Sequence, residues 1–343
     1  MDCLEDRENG TVLILRAVLD KTSDVNKETL QKTAVAVLQQ YPQHYPTVTF
    51  FAQETSVVFK VINDKGEAFA LKIYDDTSSQ PEDNQIEILM ISAIRRYGKI
   101  AVAEIVNNLR GQPITMYADP FMGATYRIVL SKWLPGADFK GQESEALFVS
   151  LGQSVADLHQ ATRQIDLPKE VQAKVWNQVF YFRDEAPVYR QPKYQSQTTE
   201  EFKDLMDEAI EYLNPRLSQI YVQGESQLLH GDLNPWNIKV NNGQFSILDF
   251  EDAIFGPPIQ DLAILLYYYQ EHDHFPFESV KDWILQGYSN GKTIVGWNDH
   301  AIESLMMARQ VNFLNYVLTL EGDYHSYLET GLSRLKAFLR AQS

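Results

Sequence analysis

The chain has 343 residues, is 44% hydrophobic and 12% aromatic, and carries a formal net charge of −16. Those values exclude a wholly disordered chain, and the length suits two lobes with a core each. So acidic a chain disfavours nucleic acid or an anionic membrane as its main partner, and one cysteine, Cys3, excludes an internal disulfide.

The opening MDCLEDRENGTVLILRAVLD is acidic before a short apolar patch that Arg16 interrupts. A secretory leader wants a basic start, and a membrane span wants about twenty apolar residues. The expectation is a cytoplasmic protein. From about Asn26 to Gln40, Leu30, Ala34, Val35 and Leu38 recur with helical spacing, and the helix should end before Tyr41-Pro42. VTFFAQETSVVFKVI and AFALKIYDD then read as two strands around a turn with Asp64, Lys65 and Gly66. NQIEILMISAIRRYG has helix periodicity and a glycine stop, and short strands follow at AVAEIV, PITMY and TYRIVLSKW.

WLPGADF breaks this texture with Pro135 and Gly136. Beyond about Glu143 the chain is mainly helical: SEALFVSLGQSVADLHQATRQI is one long amphipathic helix, and two or three more should precede Leu228. The tail from Ser279 to Leu339 reads as helical, with turns near Gly287, Gly291 and Gly322. The expected fold class is α+β in two lobes. A helical arm spans 1–45, a small β-rich lobe 46–132, and a large α-helical lobe 133–343.

The stretch LLHGDLNPWNIKVNNGQFSILDFED places His230, Asp232, Asn237 and Asp249 between apolar runs, where unpaired polar groups are costly. Asn241-Asn242-Gly243 suits a tight hairpin turn, which returns Asp249 to the side of Asn237 and Asp232. An amide and a carboxylate as oxygen ligands, with one further carboxylate, meet the needs of magnesium-assisted phosphoryl transfer. The alternative is an ordinary loop and hairpin with capping carboxylates.

HGDLNPWN followed by ILDFED resembles the signature of the aminoglycoside phosphotransferase and choline kinase-like superfamily, relatives of the protein kinases; DFEDAIFGPPIQDLA is similar to its continuation. The resemblance runs from about Val48 to Ala263 and implies a protein kinase-like fold. It implies Asp232 as the catalytic residue, Asn237 and Asp249 as Mg2+ ligands, His230 as a loop support and Asp261 as a buried anchor. The same fold needs a strand lysine for the phosphates of ATP and a helix glutamate to hold it. Lys72 in AFALKIYDD and Glu87 on the next helix fit, with Glu82 as the alternative to Glu87.

No G-x-G-x-x-G precedes the lysine strand, so Ser56 or Thr55 in AQETSVVFKV is expected to cover the phosphates. Main-chain groups from Ser131 to Leu134 are expected to meet adenine, with Trp133 flanking it. Glu251 and Asp252 are further acids without an assigned role. The acceptor is expected against the segment Val175 to Tyr194, where Trp176, Phe180, Tyr181 and Phe182 mix with Asp184 and Glu185, a wall suited to a cation or simply core. Tyr267, Tyr268 and Tyr269 are further candidates, whereas His272 and His274 lack a third metal ligand.

The implied activity is ATP- and Mg2+-dependent phosphorylation of a hydroxyl on a small molecule: an aminoglycoside, choline or ethanolamine, homoserine, or a sugar. A protein Ser/Thr kinase or a non-catalytic nucleotide-binding module is the alternative, and the oligomeric state is left open. Against the first, no A-P-E segment follows DFED; against the second, Lys72, Asp232, Asn237 and Asp249 are all present.

Overall fold

The computed structural model describes residues 24–342 apart from 54, 75–78, 182–186, 292, 293, 295, 296 and 321. Phe182, Asp184 and Glu185 therefore lie outside the described residues. Helix α1 (Asp24–Val37) runs into a 3-10 turn at Leu38–Gln40. Its stripe of Leu30, Ala34, Val37 and Leu38 is buried against the sheet of the smaller lobe. Val35 is 49% exposed, because five residues from Leu30 it is turned well off that stripe.

Strands β1 (Thr47–Gln53), β2 (Val57–Ile62), β3 (Ala68–Tyr74), β4 (Ile105–Val106), β5 (Thr115–Ala118) and β6 (Thr125–Lys132) form one antiparallel sheet. Its order is β1-β2-β3-β6-β4, with β5 also paired to β6. Side chains alternate across a strand. Val57, Phe59 and Val61 of β2 and Phe69, Leu71 and Ile73 of β3 fill one core, and parity puts Lys72 on the opposite face, towards the larger lobe. Helix α2 (Pro81–Tyr97) starts on a capping box between Gln80 and Asp83, with Pro81 in its first turn, and stops at Gly98. Ile86, Met90, Ile91 and Ile94 seat its inner face in the core of the larger lobe, and Glu87 shares that face.

The larger lobe comprises β7 (Ala137–Asp138), α3 (Glu145–Thr162), α4 (Glu200–Gln223), β8 (Gln227–Leu229), β9 (Ile238–Asn241), β10 (Gln244–Ile247), β11 (Ile254–Gly256), α5 (Ile259–Tyr267), α6 (Phe277–Ser289), α7 (Asp299–Val317) and α8 (His325–Gln342). Small sheets β10-β9-β7 and β11-β8 hold the loops between the lobes. This is the expected two-lobed α+β architecture. Among the described residues, α4 and the 3-10 turns Val188–Arg190 and Pro192–Tyr194 occupy the span where two or three helices were expected. Pro168, Pro187 and Pro192 punctuate that span and prevent longer helices. No helix among the described residues is long and apolar enough to cross a membrane.

Gly287, expected at a turn, lies inside α6. A Cβ there would stand 1.8 Å from the carbonyl oxygen of Val149 in α3, and one on Gly152 would stand 2.0 Å from that of Ile284. The two glycines let α3 and α6 touch backbone to backbone. Gly287→Ala should therefore destabilise the protein by at least about 2 kcal/mol through overpacking, read from the urea midpoint. Were the crossing loose, alanine would stabilise the helix by about 1 kcal/mol, so the sign of the shift decides.

Candidate active site

The β9–β10 hairpin pairs Asn241 with Gln244 and Ile238 with Ile247, and Asn242 and Gly243 take φ of 50° and 76° at its turn. Both central residues are left-handed, as this tight turn demands. The hairpin delivers Leu248 back to Asn237, whose carbonyl accepts its N–H at 2.9 Å. Asp249 follows with φ 63°, a conformation that an aspartate tolerates better than a branched residue.

Asp249 then meets Lys72: Nζ donates to Oδ1 at 2.7 Å. Glu87 stands 3.7 Å from the same ammonium and Glu251 3.9 Å. Glu87, not Glu82, is therefore the helix carboxylate that faces the lysine, and the Tyr74 hydroxyl donates to it at 2.7 Å. Burial alone would lower the Lys72 pKa, but the surrounding carboxylates, Asp249 foremost, hold it well above the ordinary lysine value. Burial likewise works to raise Asp249, yet Lys72 outweighs it and keeps that carboxyl low. Glu87 and Glu251 are both raised by burial, which one shared cation does not offset.

The loop after β8 is tied from several sides. His230 Nε2 lies 2.7 Å from the carbonyl of Leu248 and must donate there, so Nδ1 accepts the amide of Asp232 at 3.2 Å. Asp261 at the start of α5 accepts the N–H groups of His230 and Gly231 at 2.8 and 2.9 Å, and His159 Nε2 at 3.0 Å. Those partners outweigh burial and hold the Asp261 carboxyl below its usual range. Asn234 accepts the amides of Trp236 and Asn237, both at 2.9 Å, and donates to Asp232 Oδ2 at 2.7 Å. Asn237 Nδ2 donates to the carbonyl of Asp232 at 3.0 Å and to Oδ2 at 3.2 Å, leaving its amide oxygen available to a cation.

Asp232, Asn237 and Asp249 are thus brought together as expected. The remaining oxygen of Asp232 is held by Arg309 of α7, which also donates to the Tyr268 hydroxyl at 2.7 Å. Burial raises the Asp232 carboxyl, and the arginine opposes that rise.

A cavity of about 260 Å³ opens between the lobes, bounded by Lys72, Asp249, Asn237, Ser56, Trp133 and Leu134. In the hinge, the amides of Lys132 and Trp133 are already taken by the carbonyls of Glu104 and Ala68, at 2.8 and 3.0 Å. Trp133 flanks the cavity edge-on to Phe51, with Lys60 over its ring. Thr55 spends its hydroxyl on Glu251, while Ser56 is buried in the cavity wall. Asp252 pairs with Lys174 at 3.3 Å, on the flank of the site. A larger cavity, about 950 Å³, lies against α3, α4 and α6 and shares no lining residue with this one.

Among the described residues no group of three or more His, Cys, Asp or Glu forms a metal site. His272 Nδ1 accepts the amides of His274 and Phe275. The candidate cation site combines Asn237 with Asp249 and Glu251, and one feature tests the fit. Glu251 Oε2 is buried without a hydrogen-bond partner near Asp249, and a divalent cation suits such an oxygen.

In the expected acceptor wall, Trp176 is 1% exposed and stacks on Tyr181 at 4.3 Å. The cation near it is the protein's own Arg309, 5.8 Å from the Trp176 ring centroid. Trp176 is therefore core, and Phe180 packs partly buried against the same core.

Sequence reasoning missed Asn234 and Arg309. Asn234 carried a local signal, since asparagine before Pro235 favours a turn. Arg309 carried none, as a lone arginine within a helix reads as surface.

A lysine buried among carboxylates between a small antiparallel sheet and a helical lobe, facing a loop aspartate–asparagine pair, defines the class of two-lobed ATP-dependent phosphotransferases with a hydroxyl acceptor. The chain belongs to the phosphotransferase enzyme family, which matches residues 47–292. It is 24% identical over 254 residues to an amicoumacin kinase of Bacillus subtilis (strain 168), covering 73% of this chain and 71% of that protein. Among solved structures it is similar to an amicoumacin kinase complexed with AMP-PNP, Ca2+ and Ami, with TM-score 0.72, 20% identity and coverage of 95% and 96%. A microcompartment-associated aminopropanol kinase superposes with TM-score 0.67 at 16% identity over 89% of this chain and 94% of its own. A thermostable mutant of aminoglycoside phosphotransferase APH(4)-Ia superposes with TM-score 0.60 at 13% identity over 91% and 99%.

The Asp261 anchor has a pH signature. Its folded-state pKa is depressed, so its contribution is complete above the unfolded carboxyl value of about 3.9 and is lost as pH falls below that. Asp261→Asn should cost about 3 kcal/mol at pH 7, with the gap to wild type narrowing below about pH 4 in denaturant titrations.

Proposed function

We propose that the protein transfers the γ-phosphoryl group of ATP, with Mg2+, to a hydroxyl of a small amino alcohol or related polyol. The observation that carries this reading is the direct Lys72–Asp249 contact at 2.7 Å across the cavity that Asn237 and Ser56 also line. Lys72, braced by Glu87, binds the phosphates of the nucleotide. Asn237, Asp249 and Glu251 supply oxygens for Mg2+. Bound there, the ion neutralises phosphate charge as it shifts towards the leaving and transferred groups.

Asp232 receives the acceptor's proton and aims its oxygen. Its carboxylate is suited to this because Asn234 and Asn237 fix one oxygen and Arg309 the other. The hinge offers Leu134 to the base, and Ser56 covers the phosphates in place of a glycine-rich loop. An amine-bearing acceptor is favoured by the compound named for the aminopropanol kinase that shares this fold.

The test is ADP release with Mg-ATP against amino alcohols, aminoglycosides, sugars, homoserine and a generic protein. Asp232→Asn should lower turnover on the compound that responds by about 10²-fold or more, while nucleotide affinity stays within about threefold. Undiminished turnover in that variant would overturn the mechanism, and phosphorylation of the protein substrate alone would overturn the substrate class.

A further inference from the structure

Arg309 lies in the middle of α7, 8% exposed, with Leu305, Met306, Ala308 and Val311 buried around it. Its guanidinium sits 4.9 Å from the Phe313 ring centroid, 5.4 Å from that of Tyr268 and 5.8 Å from that of Trp176. One nitrogen makes both of its side-chain bonds, to Asp232 Oδ1 and to the Tyr268 hydroxyl. Nε is buried with no hydrogen-bond partner.

That is an expensive way to stabilise a helix. A buried cation costs desolvation, and an unsatisfied donor adds to it, so an apolar side chain of similar length would serve packing as well or better. The arrangement makes sense through Asp232. Asn234 and Asn237 grip one carboxylate oxygen from within the loop, and Arg309 grips the other from a helix 77 residues away. Three donors from two elements leave the carboxylate a single orientation. They also place a fixed positive charge beside the point where the acceptor oxygen loses its proton.

We propose that Arg309 is a positioning residue for the reaction: held in an aromatic collar, it orients Asp232 towards the acceptor hydroxyl and balances its charge. This rests on the assignment of Asp232 made above. Arg309 acts on the transfer step and not on the nucleotide, because its contacts are with Asp232, Tyr268, Trp176 and Phe313 and it does not border the cavity that holds Lys72. It also fills the aromatic wall with a cation of its own, so an acceptor ammonium binds elsewhere than between Trp176 and Phe313.

The experiment measures ADP release from Mg-ATP, with water and with each compound of the panel as acceptor, for Arg309→Met, Arg309→Lys and Asp232→Asn. Met preserves length and packing without charge, whereas Lys restores charge without the planar fork. Arg309→Met should lower kcat by about a hundredfold, the cost of a misplaced catalytic group, with the KM for ATP within about threefold. Arg309→Lys should recover about tenfold of that loss. Turnover of the Met variant within threefold of wild type, or equal impairment of Met and Lys, would overturn the proposal. If the Met variant does not fold, the Lys variant decides: kcat lowered at unchanged KM for ATP supports the proposal, and kcat and KM lost together refute it. Asp232→Asn separates the two levels. Turnover surviving there sinks the Asp232 assignment, whereas a dead Asp232→Asn beside a fully active Arg309→Met sinks only the role of Arg309.

Discussion

The structure turns on one half-buried ammonium. Lys72 carries the only positive charge set directly among Asp249, Glu87 and Glu251 in the described contacts, and those residues come from the sheet, α2 and the loop after the hairpin. Remove it and three carboxylates face one another in a partly dry cleft, an arrangement that protein interiors do not sustain. The lysine is itself 17% exposed on its side chain, so it remains reachable from the cavity while its charge holds the cluster. Stability and chemistry depend here on the same contact.

The excess of negative charge around that lysine is informative. Two of its carboxylates are pushed towards protonation by burial, and one Glu251 oxygen lacks a hydrogen-bond partner. One lysine is too little cation for three acids. A divalent ion held by Asn237 and Asp249 would supply positive charge where the chain lacks it. A second centre, Asp261, solves the opposite problem. It is wholly buried, yet two backbone N–H groups and His159 satisfy it, so it fixes the loop carrying Asp232 without titrating near neutrality.

Much of this was legible in the residues because it is local. The hairpin was readable from Asn241-Asn242-Gly243, and strand parity alone sends Lys72 away from the core formed by Leu71 and Ile73. The stop of α2 follows from Gly98. What escaped was non-local. Gly287 has the look of a helix stop, and only the approach of α3 shows why a helix interior needs it. Arg309 is joined to Asp232 by tertiary packing with no periodicity or spacing to announce it. For Trp176 and Tyr181 the sequence left a cation wall and core packing both open, and only the structure shows Trp176 in the core beside the chain's own Arg309.

The central claim is that the Lys72–Asp249 cluster is a nucleotide site completed by a divalent cation. Its most direct test is equilibrium binding of AMP-PNP to the wild-type protein and to Asp249→Asn, each with Mg2+ and with the ion chelated. The account requires tight binding by the wild type that weakens on chelation, and weak binding by the variant that Mg2+ no longer improves. AMP-PNP binding of equal strength in all four conditions, or none in any, would contradict it.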